Sequence, residues 1–237
     1  RVAAALALQL TEVQRSRLTR RDTRDSEADQ LYLRGRFFWN KRSRDGFQRG
    51  IVHFRQAVEK DPAYALAYSG LADSYLGMTF YEYASPHQAM PLARAAAVKA
   101  LEIDESLAEA HTSLGHVKAN YEWDWAEAER RMTKAIELQP EYATAHQWYG
   151  IHYLAPMGRL EEAIAETRRA RQLDPLSAVF NTFAGAALFF ARRYDEAIEE
   201  CRKAIDLHPD FGVAHWYLGR AHLQKGRSQE ALPELQK

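Results

Sequence analysis

Residues 203–223 read KAIDLHPDFGVAHWYLGRAHL, and the same order of small, apolar and turn-forming residues returns four more times upstream. It recurs as ARQLDPLSAVFNTFAGAALFF at 170–190, KAIELQPEYATAHQWYGIHYL at 134–154, KALEIDESLAEAHTSLGHVKA at 99–119 and QAVEKDPAYALAYSGLADSYL at 56–76. A period of about 34 residues is the mark of stacked repeats. Alanines 57, 100, 135, 170 and 204 close the copies, and Pro62, Pro140, Pro175 and Pro209 follow four of them, with Glu105 in place of the fifth proline. Between these points run two further series of small residues. The first is Gly35, Ala72, Gly115, Gly150, Gly185 and Gly219; the second is Gly50, Ala93, Ala128, Ala163, Ala197 and Ala231. Six units are marked, the last one short.

Each unit reads as a helical hairpin. Apolar residues recur at three- and four-residue steps on both sides of a polar break such as MGRLEE, ARRYDE or KGRSQE. Small residues are needed where two helix axes approach most closely, and Tyr68, Tyr75, Leu114, Tyr149, Tyr153, Leu188 and Leu218 fill the space beside that crossing. Proline just past the second helix removes a donor and stops the helix. A lone hairpin cannot bury its apolar face, so neighbours must stack.

The pattern of a large residue, Leu-Gly, Tyr, Ala, Phe, Ala and Pro, met best at residues 178–211, resembles the tetratricopeptide repeat family over about residues 27–237. Cys201 and Thr167 stand where that family prefers an aromatic. The resemblance implies an all-α, right-handed superhelical solenoid of antiparallel helix pairs, with units 26–64, 65–107, 108–142, 143–177, 178–211 and 212–237 after a helix and linker at 1–25. Two segments are similar to the tetratricopeptide regions found at the carboxyl end of bacterial multidomain regulators. They are LYLRGRFFWNKRSRDGFQRGIVHFRQAVEKDPAYALAYSGLADSY and YEWDWAEAERRMTKAIELQPEYATAHQWYG. Such regulators carry a kinase, winged-helix or cyclase domain at the amino end. The chain starts at Arg1 without a methionine and stops at Lys237 within the sixth unit, so it is expected to be part of a longer protein of this kind.

Three spacings are irregular. Gly35 to Gly50 is three residues longer than the twelve from Gly185 to Ala197, and Ala72 to Ala93 is nine longer. The second insertion holds Phe80, Tyr81 and Tyr83, then Ser85-Pro86-His87-Gln88, which reads as a cap, a first-turn proline and a capping-box glutamine; longer helices are expected there. The stretch GHVKANYEWDWAEAE adds one residue and puts Trp123 and Trp125 at the hairpin turn, where they are expected to pack on the lengthened helices of the previous unit.

Composition fits a helical domain with ample length for a continuous core: 46% of residues are apolar, 27% are charged, and no stretch is long enough to span a membrane. VAAALALQL is too short and too poorly led by basic residues for a secretory signal and reads as an amphipathic helix. A single cysteine excludes an internal disulfide and leaves the compartment open. Net charge is zero, yet residues 1–55 hold thirteen Lys/Arg against six Asp/Glu. Asp22, Asp25, Glu27 and Asp29 interrupt those arginines, so a solvated helical surface is favoured over a site for an anionic partner such as an acidic domain, a nucleic acid or a membrane surface.

Catalytic chemistry is not expected, and neither is a cofactor. Asp210-Phe211-Gly212 spells a kinase metal-binding triplet but follows Pro209 in a turn, with no catalytic loop or phosphate-binding lysine before it. His111, His146 and His215 share one repeat position and read as packing residues, while the spacings His111/His116 and His146/His152 do not put a metal-binding pair on one helix face. Cys201 reads as core, and its acidic neighbours Glu199 and Glu200 disfavour a thiolate.

What the family resemblance implies instead is a concave wall lined by the first helix of each unit. The matching positions are Tyr32 and Arg36, Ser69 and Asp73, Thr112 and His116, Gln147 and Ile151, Thr182 and Ala186, Trp216 and Arg220, with Asn40, Asn120 and Phe190 one turn on. A protein or peptide segment is expected there, its polar end near Arg36, Asp73 and His116 and its apolar end near Phe190 and Trp216. The lysine-and-asparagine clamp that some relatives use for a terminal carboxylate is missing at the matching positions. A spacer or self-association role is the alternative, with Leu232 and Leu235 leaving an apolar face for an end-to-end dimer.

Overall fold

The computed structural model describes residues 23–237, and among these twelve α-helices succeed one another as six hairpins with no strand. The pairs are α1 (Ser26–Trp39) with α2 (Arg44–Lys60), α3 (Ala65–Phe80) with α4 (Pro86–Ile103), and α5 (Ala108–Val117) with α6 (Trp125–Leu138). They continue as α7 (Ala143–Trp148) with α8 (Leu160–Leu173), α9 (Ala178–Phe190) with α10 (Tyr194–Leu207), and α11 (Gly212–Gln224) with α12 (Ser228–Leu235). The helix expected over residues 1–25 falls on residues 1–22, outside the described ones. First helices of successive units touch one another (α1 with α3, α3 with α5, α9 with α11), whereas second helices pack mainly on first helices. That asymmetry curves the stack and puts the first helices on its inner wall.

The small-residue series does what close approach demands. Alanines 57, 100, 135, 170 and 204 have no exposed surface, and their carbonyls accept the N–H of Asp61, Asp104, Gln139, Asp174 and His208 as each second helix ends. A Cβ on Gly35 or Gly70 would stand 2.5 Å from the ring of Phe54, one on Gly115 2.6 Å from Met132, and one on Gly185 2.8 Å from Cys201 Sγ. Phe54, Met132, Thr167, Cys201 and Leu235 occupy one repeat position facing the central glycine. The departures at Thr167 and Cys201 therefore fill a tight slot with smaller groups. Cys201 is fully buried, and burial together with Glu200 pushes its thiol up to about 12, so it is an inert core residue.

All six hairpin turns close through one residue in the left-handed region: Arg42, Glu82, Trp123, Gly158, Arg192 and Gly226. In five of them the next residue donates its N–H back to the end of the first helix, as Arg193 does to Leu188 at 2.9 Å and Arg227 to His222 at 2.9 Å. Only two of the six are glycine, so the repeat geometry imposes this conformation where the side chain does not favour it.

Insertions are absorbed inside the helices. The long second hairpin extends α3 to 16 and α4 to 18 residues, against 13 and 14 in α9 and α10. Ser85 is the N-cap and Pro86 opens α4, but the Ser85 side chain makes no capping bond; its carbonyl takes the N–H of Gln88 and Ala89, both at 3.1 Å. The capping box read from sequence is therefore not formed. The extra residue of the third unit becomes a π-helical turn at Lys118–Glu122, and the fourth unit, with the same extra residue between Gly150 and Ala163, has one at Tyr149–Leu154.

The tryptophans also depart from expectation. Trp123 is 67% exposed, and Trp125 packs on Tyr153 of the following unit at 6.2 Å instead of on the preceding one.

Histidine serves the turns between units. His111 Nε2 meets the carbonyl of Glu105 at 2.9 Å, His146 Nε2 that of Pro140 at 2.9 Å and His215 Nε2 that of Pro209 at 2.6 Å, while Asn181 Nδ2 donates to Pro175 at 2.9 Å from the same repeat position. Each ties its first helix to the loop that precedes it, and the three histidines are indeed packing residues.

Candidate partner-binding site

The middle of the inner wall is filled. Ser69, Asp73, Thr112, His116, Gln147, Ile151, Thr182 and Ala186 are all buried, and Ile151 and Ala186 belong to a core cluster around Phe183 and Leu188. The expectation of a continuous open groove is thereby corrected. The last residue of the lengthened α3, Phe80, is 38% exposed and reaches across the wall to His152 (5.5 Å between ring centroids) and Phe183 (5.8 Å). The second unit thus meets the fourth and the fifth. Tyr32 is likewise drawn into the core between Phe54 (5.8 Å) and Tyr64 (5.3 Å).

A polar seam runs beneath this plug. Arg36 Nη1 donates to Asp73 Oδ2 at 3.0 Å, and Ser113 Oγ donates to Asp73 Oδ1 at 2.7 Å, which joins the first three units through one carboxylate that is 1% exposed. Burial lifts the Asp73 carboxyl above its ordinary range despite both partners. Asp73→Asn is expected to cost about 2 kcal/mol in chemical unfolding, because a guanidinium cannot shed its charge. Arg36→Met is expected to cost less, since the carboxyl left behind can take up a proton.

His116 and His152 lie side by side with ring centroids 4.3 Å apart, and Trp148 stands 5.0 Å from His116. Burial holds both imidazoles neutral, His116 well below its ordinary range and His152 at about 4. Sequence spacing alone did not join them, because they come from different units. Among the described residues no group of three His, Cys, Asp or Glu side chains is placed to hold a metal ion. Asn120 donates to the carbonyl of His116 at 3.2 Å and closes this end of the seam.

The exposed members of the expected set lie at the two ends of the wall. Asn40 stands at the tip of the first hairpin, beside half-buried Arg36. At the other end Phe190 is 39% and Trp216 46% exposed, and the Arg220 guanidinium lies 4.2 Å from the Trp216 ring centroid. Tyr217 supports both aromatics, at 6.2 Å from Phe190 and 4.8 Å from Trp216. This is a platform of two rings and a cation on α9 and α11. A second cationic–aromatic patch, which the sequence reading did not single out, is formed on α1 and α2 by Phe37, Phe38, Lys41 and Arg49, with Arg49 3.9 Å over Phe38. Its signal in the sequence was the run RFFWNK next to the basic amino end.

Among the described residues no helix is long and apolar enough to cross a membrane. Residues 124–178 and 184–237 match the family model described as tetratricopeptide repeat. Among curated proteins the chain is similar to transcriptional regulator HilA of Salmonella paratyphi A, 28% identical over 152 residues, which is 64% of this chain and 27% of that regulator. The chain thus spans about a quarter of that relative's length. Among solved structures it resembles a human IFIT1 dimer with m7Gppp-AAAA (TM-score 0.69, 18% identity, 81% of this chain and 46% of that one). It also resembles a thermophilic TPR protein of Thermus thermophilus (TM-score 0.65, 16% identity, 83% and 99%). Both likenesses are likenesses of fold. Over residues 124–178 and 184–237 the chain belongs to the tetratricopeptide repeat family, and the six hairpins, the small-residue crossings and the proline-marked turns carry the same fold, that of a protein–protein interaction scaffold, through the described residues.

Proposed function

We propose that the chain docks a partner protein segment on the α9–α11 platform, as the interaction part of a larger bacterial signalling or transcription-regulating protein. The observation that carries this is the exposure of Phe190 and Trp216 beside Arg220 at one open end of a wall whose middle is packed. Two half-open rings offer anchoring surface at low entropic cost, and a guanidinium stacked on one of them selects for an acidic group next to the anchor. The occupant is a short segment with an aromatic or aliphatic anchor and a neighbouring acidic residue, bound with an affinity on the order of micromolar. Similarity to a transcriptional regulator over 152 residues supports the regulatory setting.

Selection of displayed peptides on the immobilised chain tests this. Selected peptides are expected to share an apolar–acidic pattern and to lose about tenfold or more in affinity on Trp216→Ala, but not on Trp123→Ala, which removes a still more exposed indole elsewhere. Binders indifferent to Trp216 would contradict it. A second reading, end-to-end self-association, is favoured by Leu232 and Leu235, 59% and 39% exposed on α12. Light scattering that shows a concentration-dependent dimer, abolished by Leu232→Glu, would select it.

A further inference from the structure

At the opposite end of the wall, the tip of the first hairpin faces the loops that precede α7, α9 and α11 across a cavity of about 830 Å³. Three features of its floor call for an anionic group. Arg36 and Arg42 both lie over the Trp39 ring, at 4.2 and 3.5 Å from its centroid, and share the neighbourhood of one buried carboxylate, Asp73, which is already bonded to Arg36 and Ser113. Among the described residues Arg42 has no ion pair, and burial together with the nearby Arg36 lowers its guanidinium to about 10. Trp39 is 2% exposed, and its Nε1–H has no hydrogen-bond partner. A buried donor left open costs about 1–3 kcal/mol, and an unpaired cation more, so a group that accepts from both recovers that cost on binding.

The rest of the lining limits what else the ligand can carry. Phe180 supplies an apolar wall, Tyr142 brings a buried hydroxyl, and exposed Glu141, Asp174 and Asp210 stand on the loops opposite the arginines. A polyanion would be repelled there, whereas an ammonium would be welcomed. We propose that this cavity binds a small zwitterionic carboxylate of the free amino acid class, with its carboxylate on Arg42 and the Trp39 indole N–H and its ammonium toward Asp174 and Asp210. The site shares no residue with the α9–α11 platform and stands or falls separately from it. It also bridges the first unit to the fourth, fifth and sixth, so occupancy tightens the superhelix.

The experiment is calorimetry and thermal shift on the full chain with each standard amino acid, its amide where one exists, and inorganic phosphate. At least one amino acid is expected to bind saturably and raise the melting temperature, its amide binding about tenfold more weakly for want of the charge-assisted bonds. Arg42→Gly is the chosen variant: Arg42 sits at φ 50, where glycine is favoured, so the guanidinium is removed without disturbing the turn. It is expected to weaken binding about tenfold or more, as is the exposed pair Asp174→Asn with Asp210→Asn, which touches no core contact. The proposal is overturned if no amino acid binds saturably, if amide and acid bind alike, if phosphate binds more tightly through Arg42, or if both variants bind as the wild type does.

Discussion

Cutting Phe54 back to alanine is expected to lower the free energy of unfolding by about 3–5 kcal/mol. Phe54 has no exposed surface, and its ring is held between the backbones of Gly35 on α1 and Gly70 on α3, with Tyr32 5.8 Å away. One side chain from α2 therefore fills the crossing inside the first unit and the joint with the second. In a linear repeat array such a loss is felt mainly by the units that share the contact. Hydrogen exchange should then show α1 to α4 losing protection well before α9 to α12. Denaturant titration giving a loss below about 1 kcal/mol, or uniform loss of protection, would show that this slot is not the joint described.

Between about pH 7.5 and pH 5 the protein is expected to lose about 2 kcal/mol of stability through His152 alone, with His116 acting in the same direction. The sign follows from burial. In the folded chain both imidazoles stay neutral, His152 down to about 4, whereas in the unfolded chain each takes up a proton near pH 6.5. The unfolded state then holds more protons, so the contribution is complete above about pH 6.5 and is lost as pH falls toward 4. Trp148 and Phe80 stack on the pair and give a proton no counter-charge, and the charged groups that line the same small pocket, Asp73 and Arg42, are of opposite sign. His111 and His222 are lowered too, so the comparison is between wild type and His152→Phe. The variant should show a visibly flatter slope over that window. An identical slope would place His152 in contact with water.

The hairpins, their crossings and the inter-unit turns were legible in the sequence because each depends on a residue type with one physical meaning. Alanine or glycine at a crossing, proline after a helix and histidine at a recurring position say what they do. The hairpin turns were less legible, since four of the six left-handed residues are Arg42, Glu82, Trp123 and Arg192, imposed by the stack and unmarked by glycine. The added residue in the third unit was visible, but its conversion to a π-helical turn was not, because helix type depends on what the neighbouring unit presses against.

The site was read less well than the fold. Of the positions copied from the family's concave wall eight are buried, and Phe80, lying in an insertion, crosses to residues more than seventy positions away. No local pattern carries such a contact. The pairing of His116 with His152 was hidden for the same reason, as was the convergence of Arg42 and Trp39 on loops of the fourth to sixth units.

That crossing is also what separates a packed seam with open ends from a groove open throughout. A double-mutant cycle on Phe80→Ala and Phe183→Ala, read by urea unfolding, tests it most directly. A superhelix wound tightly enough for the second and fifth units to touch predicts a coupling of about 0.5–1.5 kcal/mol between the two rings. Additivity within about 0.3 kcal/mol would mean that the rings do not meet and that the inner wall is open.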